Sequence, residues 1–167
     1  LEPRPPEPLP FGEEGFDPSF ASQGRRLAYS RRTYDVDTWR LQVGDSPGAS
    51  KGESTKLIAS TRPDIGAEYS PDGRRIAFLS TRSGAYEIWV CEEDGSNPRM
   101  LTSLGGVFPA QLRWSPDGRR IVFAFRGDIY AIDSAGGIPQ RLTSDPAVES
   151  TPSYSRDGTW VYFTSQR

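Results

Sequence analysis

Tyr69-Ser70-Pro71-Asp72-Gly73-Arg74-Arg75-Ile76-Ala77-Phe78 packs a turn and the start of a strand into ten residues. A Ser-Pro-Asp-Gly tetrad suits a type I turn: proline presets φ at the second position, aspartate can bond nearby backbone N–H groups, and glycine takes the left-handed conformation that follows. The apolar run Ile76-Ala77-Phe78-Leu79 then has the composition of a short strand, so the stretch reads as a β-hairpin. A near-identical copy is Trp114-Ser115-Pro116-Asp117-Gly118-Arg119-Arg120-Ile121-Val122-Phe123. Tyr154-Ser155-Arg156-Asp157-Gly158-Thr159-Trp160-Val161-Tyr162-Phe163 and Phe20-Ala21-Ser22-Gln23-Gly24-Arg25-Arg26-Leu27-Ala28-Tyr29 are degenerate copies. Only the glycine and the aromatic residue at each end persist in all four.

The turn glycines 24, 73, 118 and 158 are spaced by 49, 45 and 40 residues. That is the period of four-stranded propeller blades, with the drift absorbed by loop length. In the second unit the hairpin is followed by Tyr86-Glu87-Ile88-Trp89-Val90, an Asp94-Gly95 turn and Arg99-Met100-Leu101-Thr102. The third repeats this order as Asp128-Ile129-Tyr130-Ala131-Ile132, Gly136-Gly137 and Arg141-Leu142-Thr143. The chain is therefore expected to hold a proline-rich lead at 1–16 with an outer strand at 8–11, and blades at 17–60, 61–104 and 105–145. A partial fourth blade follows at 146–167. The first blade carries a small polar loop, Gly44 to Gly52.

Seventeen glycines and fifteen prolines in 167 residues, without sustained 3.6-residue periodicity, give an all-β reading. The 35% hydrophobic content, with four Trp, seven Tyr and eight Phe, is enough to build a core. A net charge of −2 offers no general attraction for phosphate backbones, so nucleic acid is not an expected partner. Arginines 74, 75, 119 and 120 read as solvated residues at strand starts. No apolar run approaches twenty residues, so no membrane insertion is expected. The start, Leu1-Glu2-Pro3-Arg4-Pro5-Pro6, lacks the apolar stretch of a signal peptide and reads as a cut in a longer protein. The single cysteine, Cys91, cannot close an internal disulfide and lies in a strand-like run, as a buried thiol would.

The sequence contains no histidine. Ser-His-Asp and Cys-His nucleophiles, His-ligated zinc and a His general base are thereby excluded within it. No catalytic or metal residue is assigned, and no cofactor. The turn residues Asp72, Gly73, Asp117, Gly118, Asp157 and Gly158 are read as structural, because a constellation that recurs with every blade closes turns. Phe20, Tyr69, Trp114 and Tyr154 share one repeat position and read as blade core, whereas Trp160 breaks the basic pattern and is expected to be exposed. Polar groups near the inner strands, Asp17, Asp64, Glu68, Gln111, Arg113 and Glu149, are the candidates for binding at a channel mouth.

The full pattern runs from an aromatic residue and Ser-Pro-Asp-Gly through two basic residues and a short apolar strand. It continues with Ser-x-Arg, Ile-Trp/Tyr-Val, a glycine turn and Arg-x-Leu-Thr. This resembles the WD40-like PD40 repeats of TolB-type β-propellers over residues 17–167. Ser80-Thr81-Arg82 and Ser165-Gln166-Arg167 carry the Ser-x-Arg element, with Arg126 standing in for it in the third unit. The first unit departs from the pattern with Ala21-Ser22-Gln23-Gly24. Three blades and a part are fewer than a closed ring requires, so a fragment of a larger propeller, or a ring completed by a second chain, is expected. Self-association through exposed blade edges follows from this.

The resemblance implies a non-catalytic module for protein–protein interaction or ligand sensing, with a protein partner, inside a larger bacterial protein. Two parents fit. One is TolB-like, which implies the periplasm. The other is a transcriptional regulator with a winged-helix region ahead of the propeller, suggested by Asp37-Thr38-Trp39-Arg40-Leu41. The compartment stays open between them. Alternatives are the gating propeller of a prolyl-oligopeptidase-like or tricorn-like peptidase, and a carbohydrate or cation site at the ring centre. Gly44-Asp45-Ser46-Pro47-Gly48 and Gly48-Ala49-Ser50-Lys51-Gly52 in the small polar loop have the Gly-x-Ser-x-Gly spacing, but the chain holds no histidine to serve such a serine.

Overall fold

Strands that follow the Ser-Pro-Asp-Gly turns are buried on both faces, which requires a neighbour on each side. In the computed structural model, Ile76, Ala77 and Phe78 are all fully buried, as are Ile121, Val122 and Phe123. The structure describes the backbone of residues 15–20 and 27–31, and residues 36–42 and 53–167 with their side chains. The lead with its outer strand at 8–11, the turn glycine at 24 and the loop at 44–52 lie outside the described residues.

Among the described residues there are fourteen strands and no helix. β1 (Gly15–Phe20) and β2 (Leu27–Arg31) form an antiparallel hairpin belonging to one compact unit. All the other strands belong to a second unit, Asp35–Arg167. There β3 (Thr38–Arg40) pairs with β4 (Thr55–Ile58). β5 (Asp64–Tyr69), β6 (Arg75–Ser80), β7 (Glu87–Glu92) and β8 (Arg99–Met100) form a four-stranded antiparallel sheet in chain order. β9 (Ala110–Trp114), β10 (Arg120–Phe125), β11 (Asp128–Asp133) and β12 (Gln140–Arg141) repeat it. β13 (Glu149–Tyr154) and β14 (Val161–Ser165) form a final pair. This is an all-β fold of propeller blades.

Three cores lie between successive sheets, and period-two alternation decides which residue enters which. Ile76, Phe78 and Cys91 pack against Ile58. Ala77, Leu79, Ile88 and Val90 face the other way, onto Leu112, Trp114, Ile121 and Phe123. Val122, Ala124 and Ile129 meet Tyr154, Val161 and Phe163. Burial pushes the Cys91 thiol up to about 11, outweighing the nearby Arg82 charge that favours the thiolate.

Candidate functional site

The repeated turn is built the same way three times. Ser70, Ser115 and Ser155 each donate from Oγ to the aspartate two residues on, Asp72, Asp117 or Asp157, at 2.6 Å. Each aspartate also accepts the N–H two residues further on, from Arg74, Arg119 or Thr159. Each serine Oγ in turn accepts the N–H of Arg75, Arg120 or Trp160. The N–H of Gly73, Gly118 and Gly158 closes the type I turn onto the serine carbonyl, with φ of 71, 67 and 74°. Serine, aspartate and glycine are thus all committed to closing turns.

These hydrogen bonds favour the carboxylate form and hold Asp72 and Asp117 below the ordinary 3.8. Asp157, which the Thr159 hydroxyl joins after the Ser155 hydroxyl and the Thr159 N–H, is held lowest, at about 2. Because the folded value is depressed, its stabilising contribution is complete above pH 3.8 and is lost as pH falls through about 2. A carboxyl-carbon NMR titration should find its midpoint near 2 in the native chain, and Ser155→Ala should move it upward. A midpoint at the ordinary value would refute the hydrogen-bond account.

The structure distributes the six candidate binding positions among different jobs. Asp17 lies in β1, where no side chain is described. Asp64 is 1% exposed and takes Arg82 Nη2 at 2.8 Å. Glu149, also 1% exposed, takes Arg167 Nη2 at 2.9 Å. In both pairs the arginine Nε donates to the serine two residues earlier, Ser80 or Ser165. Each acid also fastens its strand to the preceding blade through its own N–H, Asp64 to Val36 O at 2.6 Å and Glu149 to Gly127 O at 2.7 Å.

Glu68 and Arg113 are brought together across adjacent inner strands at 2.7 Å, with the Trp114 indole donating to Glu68 O beside them. Gln111 reaches the next blade, its Oε1 accepting the N–H of Thr151. Both Gln111 and Thr151 hold left-handed φ, 58 and 52°, at the position where the second blade has Gly66 at 65°. At each of these positions the inner strand carries a β-bulge, marked by a register shift.

The third blade lacks the whole buried clasp. Pro109 stands where the acid would be, Phe125 replaces the serine, and Gly127 replaces the arginine. Arg126 does not take over the arginine's part. It sits at φ 53° in a two-residue turn with Gly127, its guanidinium 5.2 Å from the Phe125 ring centre, and makes no ion pair among the described residues. Proline has no N–H to give the preceding blade, and an edge-to-face contact of Tyr86 on Phe108, 4.8 Å between centres, occupies that junction.

Two sequence expectations for the rest of the repeat change. Arg75 is not a solvated strand-start residue: it crosses to the next blade, donating to Gly118 O at 2.9 Å and Ser134 Oγ at 3.2 Å, and stacks on Trp114. Arg99 makes a parallel crossing to the carbonyls of Ser134 and Ala135. Of the aromatic set, Trp114 is buried at 6% exposure while Tyr69 is 48% exposed. Arg26, at the repeat position of Arg75 in the first unit, lies outside the described residues. Trp160 is exposed, as its sequence position suggested.

A family model described as the TolB beta propeller domain, PD40, matches residues 25–167. A TolB homolog of Chlorobium chlorochromatii is 34% identical over 89% of this chain and 45% of its own length. The Tol-Pal system protein TolB of Anaeromyxobacter dehalogenans is 32% identical over 77% of this chain and 29% of its own. Among solved structures, a TolB from Agrobacterium tumefaciens superimposes with a TM-score of 0.65 at 27% identity, covering 90% of this chain and 53% of that one. The chain therefore spans less than half the length of these two curated relatives. It belongs to the TolB β-propeller family of PD40 repeat proteins.

Proposed function

We propose that this chain is part of a protein-binding propeller that performs no chemistry of its own and serves a Tol-Pal type assembly. The observation that carries this reading is that the repeated polar residues are committed to structure: Ser and Asp close turns, and buried acids clasp arginines. Recognition is left to positions where the repeats differ. Of these, Glu68, Gln111 and Arg113 on the inner strands are the proposed contacts. The likeness to TolB proteins supports the Tol-Pal parent over the regulator parent, which would require a winged-helix region ahead of the propeller. Self-association through exposed blade edges belongs to the same proposal.

The parent protein, titrated calorimetrically with the Pal protein of the same organism, should bind it saturably. Arg113→Ala should weaken that binding while leaving thermal unfolding nearly unchanged, because the Glu68–Arg113 pair is exposed. Absence of any Pal binding would overturn the reading.

A further inference from the structure

Arginine recurs at the end of the fold where the inner strands begin, and at two junctions it is neutralised. Arg82 and Arg167 each meet a buried acid, Asp64 or Glu149. Other acids at this end are committed inward as well. Glu87 accepts the Thr102 hydroxyl at 2.6 Å and the Leu104 N–H at 2.7 Å, and Asp128 takes Arg141 at 2.8 Å. At the junction between the second and third blades Pro109 replaces the acid, yet a cation remains beside it. Arg126 is exposed and makes no hydrogen bond or ion pair among the described residues. Its guanidinium lies over the Phe125 ring, 5.2 Å from the centre. A guanidinium held by its face keeps its N–H edge available for a carboxylate.

The surface beside Arg126 is apolar and anchored. The chain from β8 to β9 is pinned at Leu104, which packs on the core beneath, and then turns through Gly105 and Gly106 at φ of 73 and 90°. That turn leaves Val107 and Phe108 outward, 38% and 47% exposed. Phe108 does not swing free, because Tyr86 meets its ring edge-on at 4.8 Å. Phe108 lies two residues before Ala110 and Arg126 two after Ala124, the pair that ends the β9–β10 register, so ring and guanidinium sit at one edge of the sheet. The hairpin between β10 and β11 is also short, residues 126–127 against 81–86 in the preceding blade. The rim therefore drops into a notch over Arg126.

We propose that Val107, Phe108 and Arg126 form a docking site for an extended segment of a partner protein that carries one glutamate or aspartate flanked by apolar side chains. The partner's carboxylate does for Arg126 what Asp64 and Glu149 do for the arginines of the neighbouring junctions, and its apolar side chains cover Val107 and Phe108. Charge complementarity selects this occupant: the junction has kept a cation and lost its acid, and apolar cover strengthens the ion pair by excluding water. Arginine and anchored aromatic rings are also the side chains that dominate binding energy at protein interfaces. The inference rests on the protein-binding reading above, but neither on Pal as the partner nor on the inner-strand contacts. A peptide probe reads the site whether or not Pal binds.

The full chain is titrated by NMR with the peptide acetyl-Gly-Leu-Glu-Leu-Gly-amide and with its counterpart carrying glutamine. Shifts concentrated on Val107, Phe108 and Arg126 are expected, with the glutamine peptide about tenfold weaker because charge-assisted hydrogen bonds are lost. Arg126→Gln should bind both peptides equally, at the weaker level, since the two changes remove one interaction. Phe108→Ala should weaken both peptides alike. Arg126 has no intramolecular ion pair to lose among the described residues, so its variant keeps the fold. Equal affinity of the two peptides for the native chain, or shifts confined to Glu68, Gln111 and Arg113, would overturn the proposal. So would tighter binding of a peptide ending in a free leucine carboxylate, which would assign the arginine to chain ends. Shifts at Phe108 that grow with chain concentration and ignore the peptide would also overturn it, assigning the patch to pairing between copies.

Discussion

Arg82→Met should destabilise the chain by about 3–5 kcal/mol in urea unfolding, because it leaves the Asp64 carboxylate buried without its cation. Asp64 is poorly placed to tolerate that loss: its side chain is fully buried, and Oδ2 has no hydrogen-bond partner, so the clasp through Oδ1 carries the charge. The guanidinium also lies 5.0 Å from the Phe78 ring centre and 5.1 Å from that of Trp89, and methionine retains part of that packing. Adding Asp64→Asn removes the stranded charge, so the double variant should be more stable than Arg82→Met alone. The reverse order would show that packing, not charge, sets the effect. Arg167→Met, at the same repeat position, should cost less, because water already reaches that more exposed arginine.

Gly95→Ala is the second large effect, of about 3 kcal/mol or more. Gly95 has φ of 85°, which already penalises any side chain, and a Cβ there would lie 2.0 Å from the carbonyl oxygen of Leu57. That obstacle is backbone of β4, which pairs with β3 and cannot turn aside as a side chain would. Relief requires the β3–β4 pair to shift away from the β5–β8 sheet, opening the core that Ile58 shares with Ile76 and Phe78. Gly73→Ala provides the contrast. Its φ of 71° is similar, but nothing lies within 4 Å, so only the left-handed penalty of about 1 kcal/mol applies. Chemical denaturation of both variants separates collision from conformation. Equal costs would contradict the contact.

The turn could be read from sequence because its information is local. Ser70, Asp72 and Gly73 act on one another and on the next few N–H groups, and every copy shows the same result. The clasps were less legible for two physical reasons. Arg75 finds Ser134 fifty-nine residues away, too far for a local reading to pair them. Asp64 and Glu149 stand at the start of inner strands, which suggested a channel mouth. The bulge two residues on, at Gly66 and Thr151, breaks the period-two count that would have told which way they point. One signal was available: the third repeat loses acid, serine and arginine together, as Pro109, Phe125 and Gly127, and residues that vanish as a set belong to one contact.

Near-identical repeats carry a hazard during folding, since any blade offers almost the same apolar face and could settle against the wrong neighbour. The inner-rim junctions counter this because the middle one differs in kind from the two beside it. One joins Asp64 N–H to Val36 O, the next sets Tyr86 against Phe108 beside a proline that can donate nothing, and the third joins Glu149 N–H to Gly127 O. A blade placed out of order would set a donor against an aromatic edge, or Pro109 against a carbonyl awaiting a hydrogen bond. The irregular junction at Pro109 thus gives the array one landmark, a seam at which only its own two blades fit, where the turns alone could not tell units apart.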